Sequence, residues 1–113
     1  MYTLHFYAGT HKQWLRDRTD AAIKMGLPVF ISESAGMEAS GDGPINHAEW
    51  QKWIDWMDAR GLSWISWSVA DKNETCSVLQ STAAPDGKWE IKDLKESGIK
   101  TRAYLRNYPS VKK

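Results

Sequence analysis

One cysteine, Cys76, stands in the whole chain of 113 residues, which excludes an internal disulfide and any cysteine-rich metal site and leaves the redox compartment undecided. An excess of charge of one sign is also missing. Fifteen Lys and Arg balance fourteen Asp and Glu to a formal net charge of +1, with no block of like charge, so nothing in the field of the chain favours nucleic acid or an anionic membrane. Hydrophobic residues reach 42% but never run to the length of a membrane span, and no basic region followed by an apolar stretch opens the chain. No targeting segment is visible. What is abundant is tryptophan: seven in so short a chain is several times the usual frequency. Trp is favoured where a flat apolar face meets something part-polar, such as a sugar ring or a protein partner, and core filling accounts for some of the seven. The length suits one domain, or a piece of one, able to bury about two-thirds of its unfolded surface.

Tyr2-Thr3-Leu4-His5-Phe6-Tyr7-Ala8 is rich in strand formers, and alternation puts His5 and Tyr7 on one side near the strand's carboxyl end. Thr10 and Gln13 have the spacing of a capping box, and Trp14, Leu15, Ala21, Ala22 and Met25 recur near helical period before Gly26 and Pro28 stop the helix. Leu27, Val29, Phe30 and Ile31 then form an apolar run that reads as a strand buried on both faces, of the kind found in parallel sheets, and it delivers Glu33 into a Gly-containing loop. On pattern alone such an acid is more often a loop or capping residue than a catalyst, yet carboxyl ends of parallel strands are where ligands meet side chains.

The stretch from Ser34 to Pro44 is a loop longer than a simple connection needs. Asn46 and Glu49 repeat the capping-box spacing, Trp50, Trp53, Ile54 and Met57 form the buried stripe of a second helix, and Gly61 closes it. Leu62 to Val69 is the third predicted strand, with Trp64 and Trp67 on opposite faces and Trp67 at the carboxyl end. A charged loop with Asp71, Lys72 and Glu74 follows, then a turn at Pro85-Asp86-Gly87, a short turn near Asp93 and a last helix over Ile99 to Leu105 that stops before Pro109. The order β, α, β, α, β, α predicts an α/β fold with right-handed parallel crossovers, three-eighths of a barrel or part of an open sheet.

His5-Phe6-Tyr7, Ile31-Ser32-Glu33 and Trp64-Ile65-Ser66-Trp67-Ser68 followed by Asp71-Lys72-Asn73-Glu74 together resemble the last three βα units of bacterial endo-β-1,4-glucanases of glycoside hydrolase family 5. The resemblance covers nearly the whole chain. It implies residues 1–113 as a single domain, the carboxyl-terminal part of a TIM (β/α)8 barrel holding the sixth to eighth strands. It further implies Glu33 as the nucleophile, His5 and Tyr7 as its flanking residues, Trp67 as the platform for the sugar before the cleaved bond, Lys72 and Glu74 on the next sugar, and Ala39 lining that subsite. The substrate implied is a β-1,4-glucan, with neither metal nor cofactor, in a secreted enzyme.

A retaining glycosidase needs a carboxylate nucleophile and a second carboxylic acid about 5 Å away, and Tyr7 is suited to hold Glu33 oriented and ionised. The Asn-Glu-Pro tripeptide that carries the acid/base in this family is absent from the chain. Glu38, Asp42, Asp71 and Glu74 sit on loops that suit them poorly to replace it. The expectation is therefore a chain inactive by itself, with Glu33, His5, Tyr7 and Trp67 at one sheet edge. Open strand edges and an uncovered face carrying residues such as Leu4, Phe30 and Ile65 predict association with another copy or with a missing amino-terminal part. The alternative is a self-associating, non-catalytic partial barrel that retains sugar binding.

Overall fold

The computed structural model describes residues 1–108. Strand β1 (Tyr2–Tyr7), helix α1 (Gln13–Lys24), strand β2 (Val29–Ala35), helix α2 (His47–Arg60), strand β3 (Trp64–Ser66) and helix α3 (Glu96–Arg106) follow in order, with a 3-10 turn at Ile91–Asp93 before α3. The sheet order is β1-β2-β3 and both pairings are parallel. Two successive crossovers of the same hand place the helices on one face, and a single core there joins Phe6, Ile31, Trp50, Trp53, Trp56, Met57 and Tyr104.

The Trp stripe of α2 is that core. Phe6 stacks on Trp53 with ring centroids 4.1 Å apart and planes within 5°, Trp56 meets Trp53 edge-on, and Tyr104 of α3 meets Trp50 edge-on at 5.4 Å. Arg16 of α1 is 2% exposed, lies over the Trp53 ring and pairs with Glu49 at 3.1 Å. At the other end of the same two helices, Asp20 accepts from the Trp56 indole and the Arg60 guanidinium. Burial raises the Asp20 carboxyl, but the hydrogen bonds and charge of Arg60 and the Trp56 bond outweigh it and hold it below the usual range. Glu49 follows the same balance, burial being overcome by Lys52 and Arg16.

Asn46 caps α2 by accepting from the Glu49 amide, and Gly61 closes it at φ 61 in the left-handed region, as the sequence suggests. The cap of α1 differs from expectation. Lys12 is its first flanking residue and no side chain caps it. Thr10 instead donates to Glu38 at 2.8 Å and accepts from the Ala39 amide at 2.9 Å, so a tertiary partner has taken the hydroxyl. Strand β3 is shorter than predicted, because only Trp64 and Ser66 pair with β2 and the chain turns away after Trp67, whose peptide bond to Ser68 is cis. Leu4 packs on the helix side, in register with Ile31, so the opposite face is carried by its alternates, among them half-buried Phe30 and exposed Ile65. The stop assigned to Pro109 lies outside the described residues.

Candidate functional site

A one-residue irregularity decides which way Glu33 points. Leu4 pairs with Ile31 but His5 pairs with Glu33, so Ser32 is an extra residue on β2. In regular register Glu33 would share the helix-side face of Phe6; the slip moves it to the face of His5 and Tyr7.

On that face the Tyr7 hydroxyl donates to Glu33 Oε1, and His5 Nδ1 approaches Oε2 to 3.4 Å. His5 Nε2 lies 3.0 Å from Ser32 Oγ. Burial, then the hydrogen bond to Glu33 and its negative charge, push the Tyr7 phenol well above the ordinary tyrosine value, so Tyr7 remains a proton donor. The carboxylate is partly open to solvent, with 21% of its side chain exposed, while Tyr7 is buried at 8%.

Behind Tyr7 the βα loops supply the wall. Tyr7 packs with Ala35, Met37 and Cys76. Cys76 donates from Sγ to Glu74 and from its amide to the Gly41 carbonyl, and burial, followed by the Glu74 bond, raises its thiol. Asp42 accepts from the amide and hydroxyl of Thr75, which locks the loop after β2 to the loop after β3. Two glycines permit the close approaches: a Cβ on Gly36 would sit 2.1 Å from the Trp50 ring, and one on Gly9 would sit 2.7 Å from the Met37 backbone. His11 Nδ1 accepts the Tyr7 amide proton, and burial lowers its imidazole from the usual value.

His5 and Tyr7 thus each reach Glu33, one at either carboxylate oxygen. Trp67 leaves the sheet with its amide bonded to the Ser34 carbonyl, one residue beyond Glu33, and its side chain is 47% exposed at the same edge. Lys72 is exposed, and its carbonyl accepts from Lys95. Glu74 reaches the site through Cys76 and Tyr7 rather than directly. Ala39 is exposed on the loop after β2, held to Thr10 through its amide. Sequence reasoning passed over Ser32 and Cys76. An acid flanked by serine, as in Ser32-Glu33-Ser34, was the available signal for the first; a lone cysteine near Glu74 carried none. Among the described residues no group of His, Cys, Asp and Glu is arranged to hold a metal ion, and no helix is long and apolar enough to cross a membrane.

Fold and site together define a parallel α/β domain with an acid-centred site at the carboxyl edge of its strands. The family described as Cellulase (glycosyl hydrolase family 5) matches residues 1–73, and the chain belongs to that family. It is 43% identical to Endoglucanase A of Evansella cellulosilytica over 98% of its own length and 45% identical to Endoglucanase 5 of Pectobacterium carotovorum over 94%. A structure from Cytophaga hutchinsonii superposes with a TM-score of 0.91 at 44% identity over 94% of this chain. The catalytic domain of a Thermobifida fusca endoglucanase, solved in complex with cellotetraose, superposes at 0.87 with 31% identity, also over 94% of this chain. The chain spans about a quarter of the curated relatives, 23% and 21%, and 35% of each of these two structures.

Proposed function

We propose that this chain is the carboxyl-terminal portion of the catalytic domain of a retaining endo-β-1,4-glucanase, a partial (β/α) barrel with Glu33 as its nucleophile. The observation that carries this reading is the Glu33 carboxylate held between the Tyr7 hydroxyl and the His5 ring at the carboxyl edge of a parallel sheet. A nucleophile needs a fixed orientation, and a donor such as Tyr7, itself kept protonated by burial and by Glu33, supplies it. Trp67 offers its exposed face to the C–H bonds of a glucose ring, with Lys72, Glu74 and Ala39 beyond it as walls for the neighbouring sugar. The whole enzyme is secreted in this reading, as a polysaccharide too large to enter a cell requires.

Retaining hydrolysis needs a second carboxylic acid about 5–5.5 Å from the nucleophile to protonate the leaving oxygen. The other acids of this edge have different engagements: Glu38 accepts from Thr10, Asp42 from Thr75 and Glu74 from Cys76. Without the proton donor the reaction forfeits a factor of about 10²–10⁴. The purified chain incubated with a soluble β-1,4-glucan is therefore expected to release reducing ends at background rate, equal to Glu33→Gln. Turnover abolished by Glu33→Gln would overturn the inactivity and show an acid recruited from elsewhere.

A second reading, a self-associating partial barrel without turnover, is favoured by the uncovered side of β3. There a cavity of about 670 Å³ is lined by Trp64, Ile65, Val69, Trp89 and Leu105, with Ile65 and Val69 exposed. Burying such a surface against a second copy recovers about 25 cal/mol per Å². Light scattering over a dilution series tests it, a concentration-independent monomer being the contrary result.

A further inference from the structure

We propose that Ser32 is a positioning residue that sets the tautomer of His5, so that the imidazole presents a proton at Nδ1 to the Glu33 carboxylate. The inference rests on the reading of Glu33 as the carboxylate of the site.

The geometry begins with the irregularity in β2. On a regular strand consecutive side chains point to opposite faces, so one ring in a neighbouring strand cannot be met by both Ser32 and Glu33. The extra residue opposite His5 removes that restriction. Ser32 Oγ reaches Nε2 at 3.0 Å, and Glu33 Oε2 reaches Nδ1 at 3.4 Å, so the two ring nitrogens are answered by two successive residues.

Of the two tautomers of the neutral ring, the carboxylate beside Nδ1 favours the one with hydrogen there. An ionised carboxylate only accepts, so the nitrogen facing it is the one that carries hydrogen. A neutral imidazole has a single N–H, which leaves Nε2 bare and in need of a donor. The Ser32 hydroxyl is the group in reach, and it rotates freely enough to donate. Read along the chain of atoms, Ser32 O–H points to Nε2, Nδ1–H points to Oε2 and Tyr7 O–H points to Oε1. In this arrangement Glu33 accepts from Tyr7 at Oε1 and has the Nδ1 side of the ring 3.4 Å from Oε2, with no net positive charge placed beside it. With the hydroxyl removed, nothing satisfies a bare Nε2 except water, and the ring has no reason to keep its hydrogen on the carboxylate side in preference to the solvent side.

The test is long-range ¹H–¹⁵N correlation spectroscopy of the ring nitrogens, on the 113-residue chain, at a pH where the ring is neutral. It needs no turnover. The expected result is a protonated-type Nδ1 and a bare-type Nε2 for His5 in the wild type. Ser32→Ala should move both resonances toward the reversed pattern, and Ser32→Thr, which keeps the hydroxyl and suits a strand, should restore the wild-type pattern. Where alanine disturbs the amide spectrum, Ser32→Cys, nearly isosteric with a weaker donor, should shift the same way to a smaller extent. A wild-type His5 with hydrogen on Nε2, or a pattern unmoved by Ser32→Ala in a folded chain, overturns the proposal. Failure of Glu33 as nucleophile is a separate outcome, read from covalent trapping of the full-length enzyme, and leaves the tautomer measurement intact.

Discussion

The Tyr7 hydroxyl and the Glu33 carboxylate meet across neighbouring strands, and each is where it is because of the other's strand: Tyr7 ends β1, and the one-residue slip in β2 turns Glu33 onto its face. The consequence is measurable at high pH. Burial, followed by the bond to and charge of Glu33, raises the Tyr7 phenol above its ordinary value. A group raised in the fold contributes stability that is present below its unfolded value, about 10, and is lost as pH climbs toward the folded one. Tyr104, also raised by burial and then by Asp55, adds in the same direction. Ultraviolet titration should show two phenols ionising late, and Glu33→Gln should bring the Tyr7 step to lower pH.

In acid the sign reverses. Asp20 and Glu49 are held low in the folded state, so their contribution is present above pH of about 4 and disappears as pH falls through their folded values. His11, lowered by burial, also resists the charging that acid demands. Asp58, raised by burial and Asp55, works the opposite way. Asp42, held low by its bonds to Thr75, makes four groups against one, so the net effect is acid destabilisation, and Asp20→Asn should flatten the acid limb of denaturant midpoint against pH.

Gly36→Ala should destabilise the chain by about 1–3 kcal/mol or more, since its methyl would stand 2.1 Å from the Trp50 ring and Trp50 is 1% exposed with nowhere to go. Urea unfolding followed by tryptophan fluorescence measures it. A midpoint equal to that of the wild type would mean the loop shifts without cost.

Trp53→Ala should cost about 3–5 kcal/mol, because its indole stacks on Phe6, touches Trp56 and carries Arg16, and the cavity left is bounded by a sheet and two helices. Trp67→Ala should change stability far less, its side chain being half exposed; under the proposed function, in which Trp67 stacks on a sugar, it should also weaken binding of a soluble β-1,4-glucan oligosaccharide by about 0.5–1.5 kcal/mol, roughly two- to tenfold. Calorimetry on the two variants separates framework from platform.

The sequence carried the three strands, the capped Trp helix and the acid at the strand end because each is written in a local pattern: β-branched runs, a 3.6-residue stripe, Asn46 with Gly61 at the ends. It did not carry the slip at Ser32, since one extra residue changes no composition and its effect lies wholly in which neighbour it faces. Thr10 misled for a related reason. Its spacing to Gln13 is that of a cap, but Glu38 and the Ala39 amide are better partners, and they are far away in sequence. Arg16, to which no local pattern drew attention, is buried, paired with Glu49 and spread on Trp53.

The stack of Phe6 on Trp53 also orders events in time. Phe6 belongs to the first strand and Trp53 to the second helix, so their rings cannot meet until α1 has formed a crossover and β2 has aligned beside β1. Closing that long loop costs entropy before the core returns anything, and parallel pairing allows no local hairpin to begin the process. Phe6 and Trp53 therefore each lack their stacking partner until the whole stretch between them has found its place, which makes this pair a reporter of late, long-range assembly.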